Sequence, residues 1–146
     1  KGNFLTKENF IFNNYENYFD IVTVLGLIEF LNDREIEQFL DNAYLSLKKG
    51  GKLIVTTPNF NSIIYPIAER LGIVNWGGEH KNKFNKKKLE RLLQKSDFKK
   101  FSITKILNFG MLSSLISIKI GILLEGFFKK ILLESQGFVI FAELEK

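Results

Sequence analysis

Two short apolar runs, separated by an amphipathic segment, constrain the fold of this chain most strongly. Residues 21–25 read IVTVL and residues 53–55 read LIV, without strict alternation of apolar and polar side chains. Such runs are typical of parallel strands, which are covered on both faces. The segment between them places apolar residues three and four positions apart, as a helix packed on a sheet does. The sequence therefore predicts a strand–helix–strand unit over residues 19–57.

Residues that favour helix and strand ends mark the boundaries of this unit. Asn32 can cap a helix that we expect to reach about Leu47. We expect Gly50 and Gly51 to end this helix through a positive φ, and Pro58 to end the second strand because it cannot donate to a ladder. The apolar stripe that we expect to face the sheet consists of Ile36, Phe39, Leu40, Ala43, Tyr44 and Leu47.

The remaining pattern adds three strands and further helices. Short strands are predicted over residues 9–12, 98–107 and 138–144, and helices over 59–71 and 86–95, with Asn85 as the N-cap of the last. Residues 108–136 are rich in Leu, Ile and Phe, but charges interrupt them too often for a membrane span. We expect one or two amphipathic helices there, which either cover the sheet, form a lid over an apolar acceptor or contact a membrane surface.

Composition excludes some classes of site. The chain of 146 residues is one domain by length, and without cysteine it has neither disulfides nor Cys-ligated metals. Its net charge of +5 comes from a basic cluster. This cluster is either a solvated helix face or a patch for phosphate or anionic lipid, and no motif within it indicates nucleic acid. Its members are Lys81, Lys83, Lys86, Lys87, Lys88, Arg91, Lys95, Lys99 and Lys100.

Three motifs in this order resemble the class I S-adenosylmethionine-dependent methyltransferases. They are FDIVTVLGLIEFLND at 19–33, LKKGGKLIVTTPN at 47–59 and EHKNKFNKKKLERLLQKSDF at 79–98. The resemblance covers roughly residues 9–107 and more loosely the last strand. It implies a Rossmann-like α/β sheet, mostly parallel with an antiparallel last strand, and S-adenosylmethionine as cofactor. Residues 9–12 would be the third of the family's seven strands, residues 19–25 the fourth, and 52–57 the fifth.

The family's first two strands have no counterpart in this sequence. The first of them ends in a Gly-rich turn that holds the cofactor, and this chain contains no GxGxG. The chain also begins with Lys1 rather than Met. We therefore expect residues 1–146 to be a partial methyltransferase domain, the C-terminal part of a longer protein or one that needs a partner. The missing half would cover the apolar edge of the strand at 19–25.

The resemblance implies a set of cofactor-binding residues at the carboxyl ends of the strands. Asn13 or Asn14 matches the position beside the adenine amino group, although an Asx turn is the alternative. Leu25, Gly26 and Leu27 match the segment that lines the cofactor. Gly26 either permits a close approach of the cofactor or serves as a helix-entry glycine.

The resemblance also implies catalytic and acceptor-binding residues. Glu29 is expected to bind a loop backbone or polarise the acceptor, and His80, the only histidine, to act as a base or acceptor ligand or to be structural. Gly26 and Phe30 stand where some relatives have metal ligands, so no metal is predicted. The residues expected near the acceptor are Pro58, Asn59, Tyr65 and Trp76.

The predicted activity is methyl transfer to an O or N atom of a small molecule in the cytoplasm, since no signal peptide is visible. The apolar segment at 108–136 favours a lipid-like or isoprenoid acceptor, and a sugar or glycan is the weaker alternative. Two other functions remain open. One is a non-catalytic, degenerate methyltransferase-like module that mediates assembly, and the other is a peripheral membrane protein that uses residues 111–133 and the basic cluster.

Overall fold

A computed structural model describes residues 15–62, 66, 70, 80–106 and 139–146. These residues form a four-stranded sheet in the order β1-β2-β4-β3. The strands are β1 (Phe19–Leu25), β2 (Leu47–Pro58), β3 (Lys100–Ile106) and β4 (Val139–Glu145), and the helices are α1 (Asp33–Ser46) and α2 (Lys86–Leu93). The strand predicted at 9–12, most of the helix predicted at 59–71 and the apolar segment at 108–136 lie outside the described residues.

The strand directions confirm the predicted α/β class. β1 and β2 are parallel, as expected for a strand–helix–strand unit, whereas β4 is antiparallel to both of its neighbours, β2 and β3. The last strand is thus inserted between two earlier ones. The outer edge of β1, the side away from β2, carries no paired strand among the described residues.

Helix α1 begins at a capping box. The Asn32 side chain accepts a hydrogen bond from the backbone N–H of Glu35, and the Glu35 carboxylate accepts one from the N–H of Asn32. Helix α2 begins in a similar way, with Asn85 Oδ1 accepting from the N–H of Lys88 at 2.9 Å. Both caps lie where the sequence predicts them. No helix within the described ranges is long and apolar enough to cross a membrane.

The core lies between the sheet and the buried faces of the two helices. The predicted apolar stripe is confirmed, because Ile36, Leu40 and Ala43 are buried. Phe39 and Tyr44 are partly buried against the core, and Leu47, which already belongs to β2, is buried too. Phe84 and Phe98, just before and after α2, are the largest fully buried side chains. The other members of the core are Val24, Ile28, Leu47, Leu53, Val55, Leu89, Leu93, Ile140, Ala142 and Leu144.

The predicted role of Gly50 and Gly51 as the end of α1 was wrong. The helix ends at Ser46, and Leu47 is already extended at φ −78° and ψ 143°. Leu47 pairs with Phe19, after which the register shifts irregularly to Ile21 opposite Lys52. Gly50 does have a positive φ of 77°, but at this irregularity within β2. Pairing with β1 therefore takes the chain out of the helix before the glycines are reached.

Candidate functional site

The carboxyl ends of β1 and β2 lie side by side, because these strands are parallel and Leu25 is in register with Thr56. Beyond β1 the chain turns at Gly26, whose φ is +61° and whose N–H donates to the Thr56 carbonyl at 3.0 Å. A 3-10 turn over Ile28–Phe30 follows. In open α/β sheets, ligands bind at the carboxyl ends of the strands, so this edge is the candidate site.

Glu29 lies in this turn and is only 1% exposed. Thr57, at the end of β2, donates its hydroxyl to Glu29 Oε2 at 3.1 Å. Burial raises the pKa of the Glu29 carboxyl above its ordinary value, and hydrogen bonds and the nearby His80 oppose this rise only in part. The carboxyl group thus joins the ends of both strands in an environment that disfavours its charge.

His80 lies between two aromatic rings at the same edge. Its imidazole stacks on Phe30, with ring centroids 4.9 Å apart and planes inclined by 28°. Phe60, just beyond β2, meets the imidazole nearly edge-on at 5.3 Å and 70°. The structure thus brings His80 and Glu29, which are far apart in the sequence, to the same end of the sheet.

Asn82 contributes to this site and was not predicted. Its backbone N–H donates to the Glu29 carbonyl at 2.9 Å, and its side-chain Nδ2 donates to the Leu31 carbonyl at 2.7 Å. The local sequence does contain a signal, because lysine alternates with an uncharged residue over Lys81-Asn82-Lys83-Phe84. In the structure the two lysines are exposed, and Asn82 and Phe84 are buried. This alternation indicates an extended segment with one face turned inward.

The other predicted site residues lie at different depths. Leu25 and Leu27 are 66% and 45% exposed at the rim, where a ligand could contact them. Pro58 and Asn59 are buried, and Asn59 Oδ1 accepts from the N–H of Asn61 at 3.3 Å. Asn13, Asn14, Tyr65 and Trp76 lie outside the described residues. Within the described ranges, no group of three or more His, Cys, Asp or Glu residues could hold a metal.

Comparisons with known proteins give a result at the level of structure. No family model matches this chain, and no curated protein matches it in sequence. Solved structures similar to it include a SAM-dependent methyltransferase from Archaeoglobus fulgidus, at 16% identity and a TM-score of 0.61 over 92% of this chain. Another, from Thermotoga maritima, is described as a possible histamine N-methyltransferase and has 23% identity and a TM-score of 0.60 over 90% of this chain.

A SAM-dependent methyltransferase from Mesorhizobium loti is also similar, at 11% identity and a TM-score of 0.52 over 90% of this chain. This chain has the fold of the class I S-adenosylmethionine-dependent methyltransferases. It spans between 57% and 63% of the length of these three methyltransferase structures. β1 and β2 are the two strands that the sequence analysis assigns to positions four and five of the family's sheet.

Proposed function

We propose that this chain forms the acceptor side of an S-adenosylmethionine-dependent methyltransferase. The observation that carries the proposal is the meeting of Glu29 and His80 at the carboxyl ends of β1 and β2. A buried carboxyl whose pKa is raised, as that of Glu29 is, is common at catalytic sites. The methyltransferase fold supports the assignment, since the exposed Leu25 and Leu27 occupy the rim beside these two groups.

The residues at the rim fit one part of the cofactor. Leu25 and Leu27 offer apolar contacts, and Gly26 exposes its backbone where a side chain would otherwise stand. The described residues contain no counterpart of a Gly-rich turn for the methionine part. S-adenosylmethionine, when bound, supplies an electrophilic methyl group carried on a sulfonium. We propose that this chain lines the adenosine side and that the Gly-rich turn comes from elsewhere.

The outer edge of β1 is where that other half would dock. Ile21 is 57% exposed and Leu25 is 66% exposed on the same face of the strand, since every second residue of a strand points the same way and these two are four positions apart. An apolar edge of this kind normally has a partner strand or a cover. We propose that either upstream residues of the same protein or a separate chain supplies it.

The roles of the two titratable groups follow from their positions. An acceptor O–H or N–H must lose a proton when its heteroatom gains a methyl group, and we propose that the His80 imidazole takes that proton. Glu29 is too deeply buried to contact a substrate, but its charge can stabilise the imidazolium that then forms. The acceptor would be a small molecule, lipid-like in view of the apolar sequence at 108–136, or an amine as named for the Thermotoga structure.

Cofactor binding to a completed protein tests this proposal. A half-domain whose first strand ends in Asp/Glu-x-Gly-x-Gly would be fused ahead of residue 1, and S-adenosylhomocysteine titrated calorimetrically. We expect saturable binding that Leu25→Asp weakens by roughly tenfold, the equivalent of 1.4 kcal/mol. Leu45→Asp is the matched control, because Leu45 is an exposed leucine on α1.

Two results would contradict the proposal. One is a folded, completed protein that does not bind S-adenosylhomocysteine, which would favour the non-catalytic assembly module. The other is equal affinity in wild type, Leu25→Asp and Leu45→Asp, which would place the cofactor away from the rim of β1.

A further inference from the structure

We propose that Asn82 is a positioning residue that holds His80 between Phe30 and Phe60. This inference deepens the proposed function and rests on it for its catalytic meaning. Its geometric content, however, concerns only residues that the structure describes. Asn82 is 4% exposed, so its side chain is fully committed to contacts within the protein.

The first step concerns the ring below His80. Asn82 donates two hydrogen bonds, one from its backbone to the Glu29 carbonyl at 2.9 Å and one from its side chain to the Leu31 carbonyl at 2.7 Å. Glu29 and Leu31 are the two residues that flank Phe30. Asn82 therefore fixes the segment at 80–85 in register with the 3-10 turn, and the Phe30 ring stacks on His80 as a result.

The second step concerns the ring at the side of His80. The N–H of Phe60 donates to the Phe84 carbonyl at 2.9 Å, which joins the end of β2 to the same segment. Phe84 is itself completely buried. Phe60 is thus bonded directly to a residue four positions from His80, and Phe30 is held through its neighbours Glu29 and Leu31, which accept hydrogen bonds from Asn82.

The third step concerns the orientation of the Asn82 amide. Its oxygen accepts a hydrogen bond from Lys88 Nζ, on the first turn of α2. This ammonium also lies over the Phe84 ring, 5.4 Å from its centroid. Because Oδ1 faces a permanent donor, Nδ2 is left to face the Leu31 carbonyl. The cationic partner distinguishes this amide from an ordinary loop asparagine, since charge-assisted hydrogen bonds are the stronger ones.

The consequence is a preorganised imidazole. A catalytic group works best when packing and supporting hydrogen bonds hold its rotamer before substrate arrives. With Asn82 in place, His80 is held against the turn that carries Glu29. Without it, the backbone hydrogen bonds and the buried Phe84 must hold the segment, since its Lys81 and Lys83 are exposed.

Because His80 is the only histidine, its NMR signals test this inference without an activity assay. Imidazole C–H protons on the face of an aromatic ring are shielded, so His80 should give upfield-shifted signals in a ¹³C-edited NMR spectrum. We expect Asn82→Ala to move these signals towards the positions of a free histidine. Asn85→Ala is the matched control, since it removes the cap of α2 from the same segment without touching Glu29 or Leu31.

A second pair of variants separates the loss of one hydrogen bond from general misfolding. Asn82→Asp keeps an acceptor for Lys88 but loses the donor to Leu31, and should move the His80 signals in the same direction. Lys88→Met removes the cation and should shift them less. Unshifted His80 signals in wild type, or equal signals in wild type and both Asn82 variants, would overturn the inference.

Activity separates this inference from the proposed function. In the completed protein, Asn82→Ala should lower kcat by roughly 10- to 100-fold with the affinity for S-adenosylhomocysteine unchanged, because misplacing a reacting group slows the chemical step. A completed protein that binds no S-adenosylhomocysteine, yet whose shielded His80 signals depend on Asn82, would keep the positioning role and overturn methyl transfer. Cofactor binding and turnover, together with His80 signals that are unchanged in the Asn82 variants, would keep methyl transfer and overturn the positioning role.

Discussion

Glu29 shows at the scale of one residue how the methyltransferase fold couples burial to charge. Its carboxyl group is held under the carboxyl ends of two strands, with Thr57 as its hydroxyl donor. Desolvation raises its pKa above the ordinary value of 4.5. The folded protein therefore holds this proton more tightly than the unfolded chain does, and stability depends on pH in a direction that can be worked out.

The free energy of unfolding should fall as the pH rises from about 4.5 through the raised pKa of Glu29. Glu29→Gln removes the titration while keeping an acceptor for Thr57, so its stability should exceed that of wild type increasingly as the pH rises. Urea unfolding across this pH range measures the difference. Glu37→Gln on the exposed face of α1 is the control for the loss of one charge. Parallel pH profiles for wild type and Glu29→Gln would refute this account of the site.

Gly26 is required for its backbone rather than for space. A Cβ there would lie 3.5 Å from Glu29 Oε1, an ordinary contact, but φ is +61°. Gly26→Ala should therefore destabilise by about 1–2 kcal/mol, the strain of a left-handed conformation. Gly50→Ala, at φ +77° with nothing within 4 Å of the added atom, should cost a similar amount. In the completed protein only Gly26→Ala should also weaken S-adenosylhomocysteine binding, and equal weakening by both would disprove a local role for Gly26.

The sequence predicted the candidate site in part. Glu29 and His80 could be named because each lies within a motif that resembles the methyltransferase family, and the fold places the two at the same end of the sheet. The positioning role proposed for Asn82 could not be predicted, because it depends on hydrogen bonds from Asn82 to the carbonyls of Glu29 and Leu31 that form only in the folded turn. The burial of Asn59 could not be predicted either, since a Pro-Asn pair is also typical of an exposed turn.

At the scale of elements, local signals placed most boundaries. Caps and apolar spacing predicted the starts of α1 and α2, because those signals act within one turn of helix. The position where α1 ends was predicted to within one residue, but its cause and the start of β2 were missed. There the N–H groups of Asn17 and Tyr18 donate to the carbonyls of Leu45 and Ser46, and Leu47 pairs with Phe19. These contacts between distant residues outweigh the preference of Gly50-Gly51 for a helix end.

The capping box of α1 gives a prediction at this scale. Asn32→Ala removes the acceptor for the N–H of Glu35, and should reduce the free energy of unfolding by about 1 kcal/mol. Gln38→Ala, exposed in the middle of the same helix, should change it little. Chemical denaturation of both variants at one pH makes the comparison. Equal effects would mean that the cap contributes nothing to the stability of α1.

At the scale of the whole molecule, the outer edge of β1 is the surface that we expect to govern self-association. Its exposed apolar side chains, and a backbone edge that pairs with no other described strand, predict that the chain alone self-associates as its concentration rises. Ile21→Lys should reduce that association, because charged side chains protect sheet edges. Leu45→Lys on α1 should not. Light scattering on the folded variants measures the mass of each, and a monomeric wild type at high concentration would contradict this account of the edge.

The central claim, that this chain supplies one side of a methyltransferase cofactor site, has one most direct test. S-adenosylhomocysteine would be titrated calorimetrically into the folded chain alone and into the chain completed by a half-domain with a Gly-rich turn. We predict saturable binding to the completed protein and none to the chain alone. Equal binding in both would show a cofactor site that needs no Gly-rich turn, and no binding in either would contradict methyl transfer altogether.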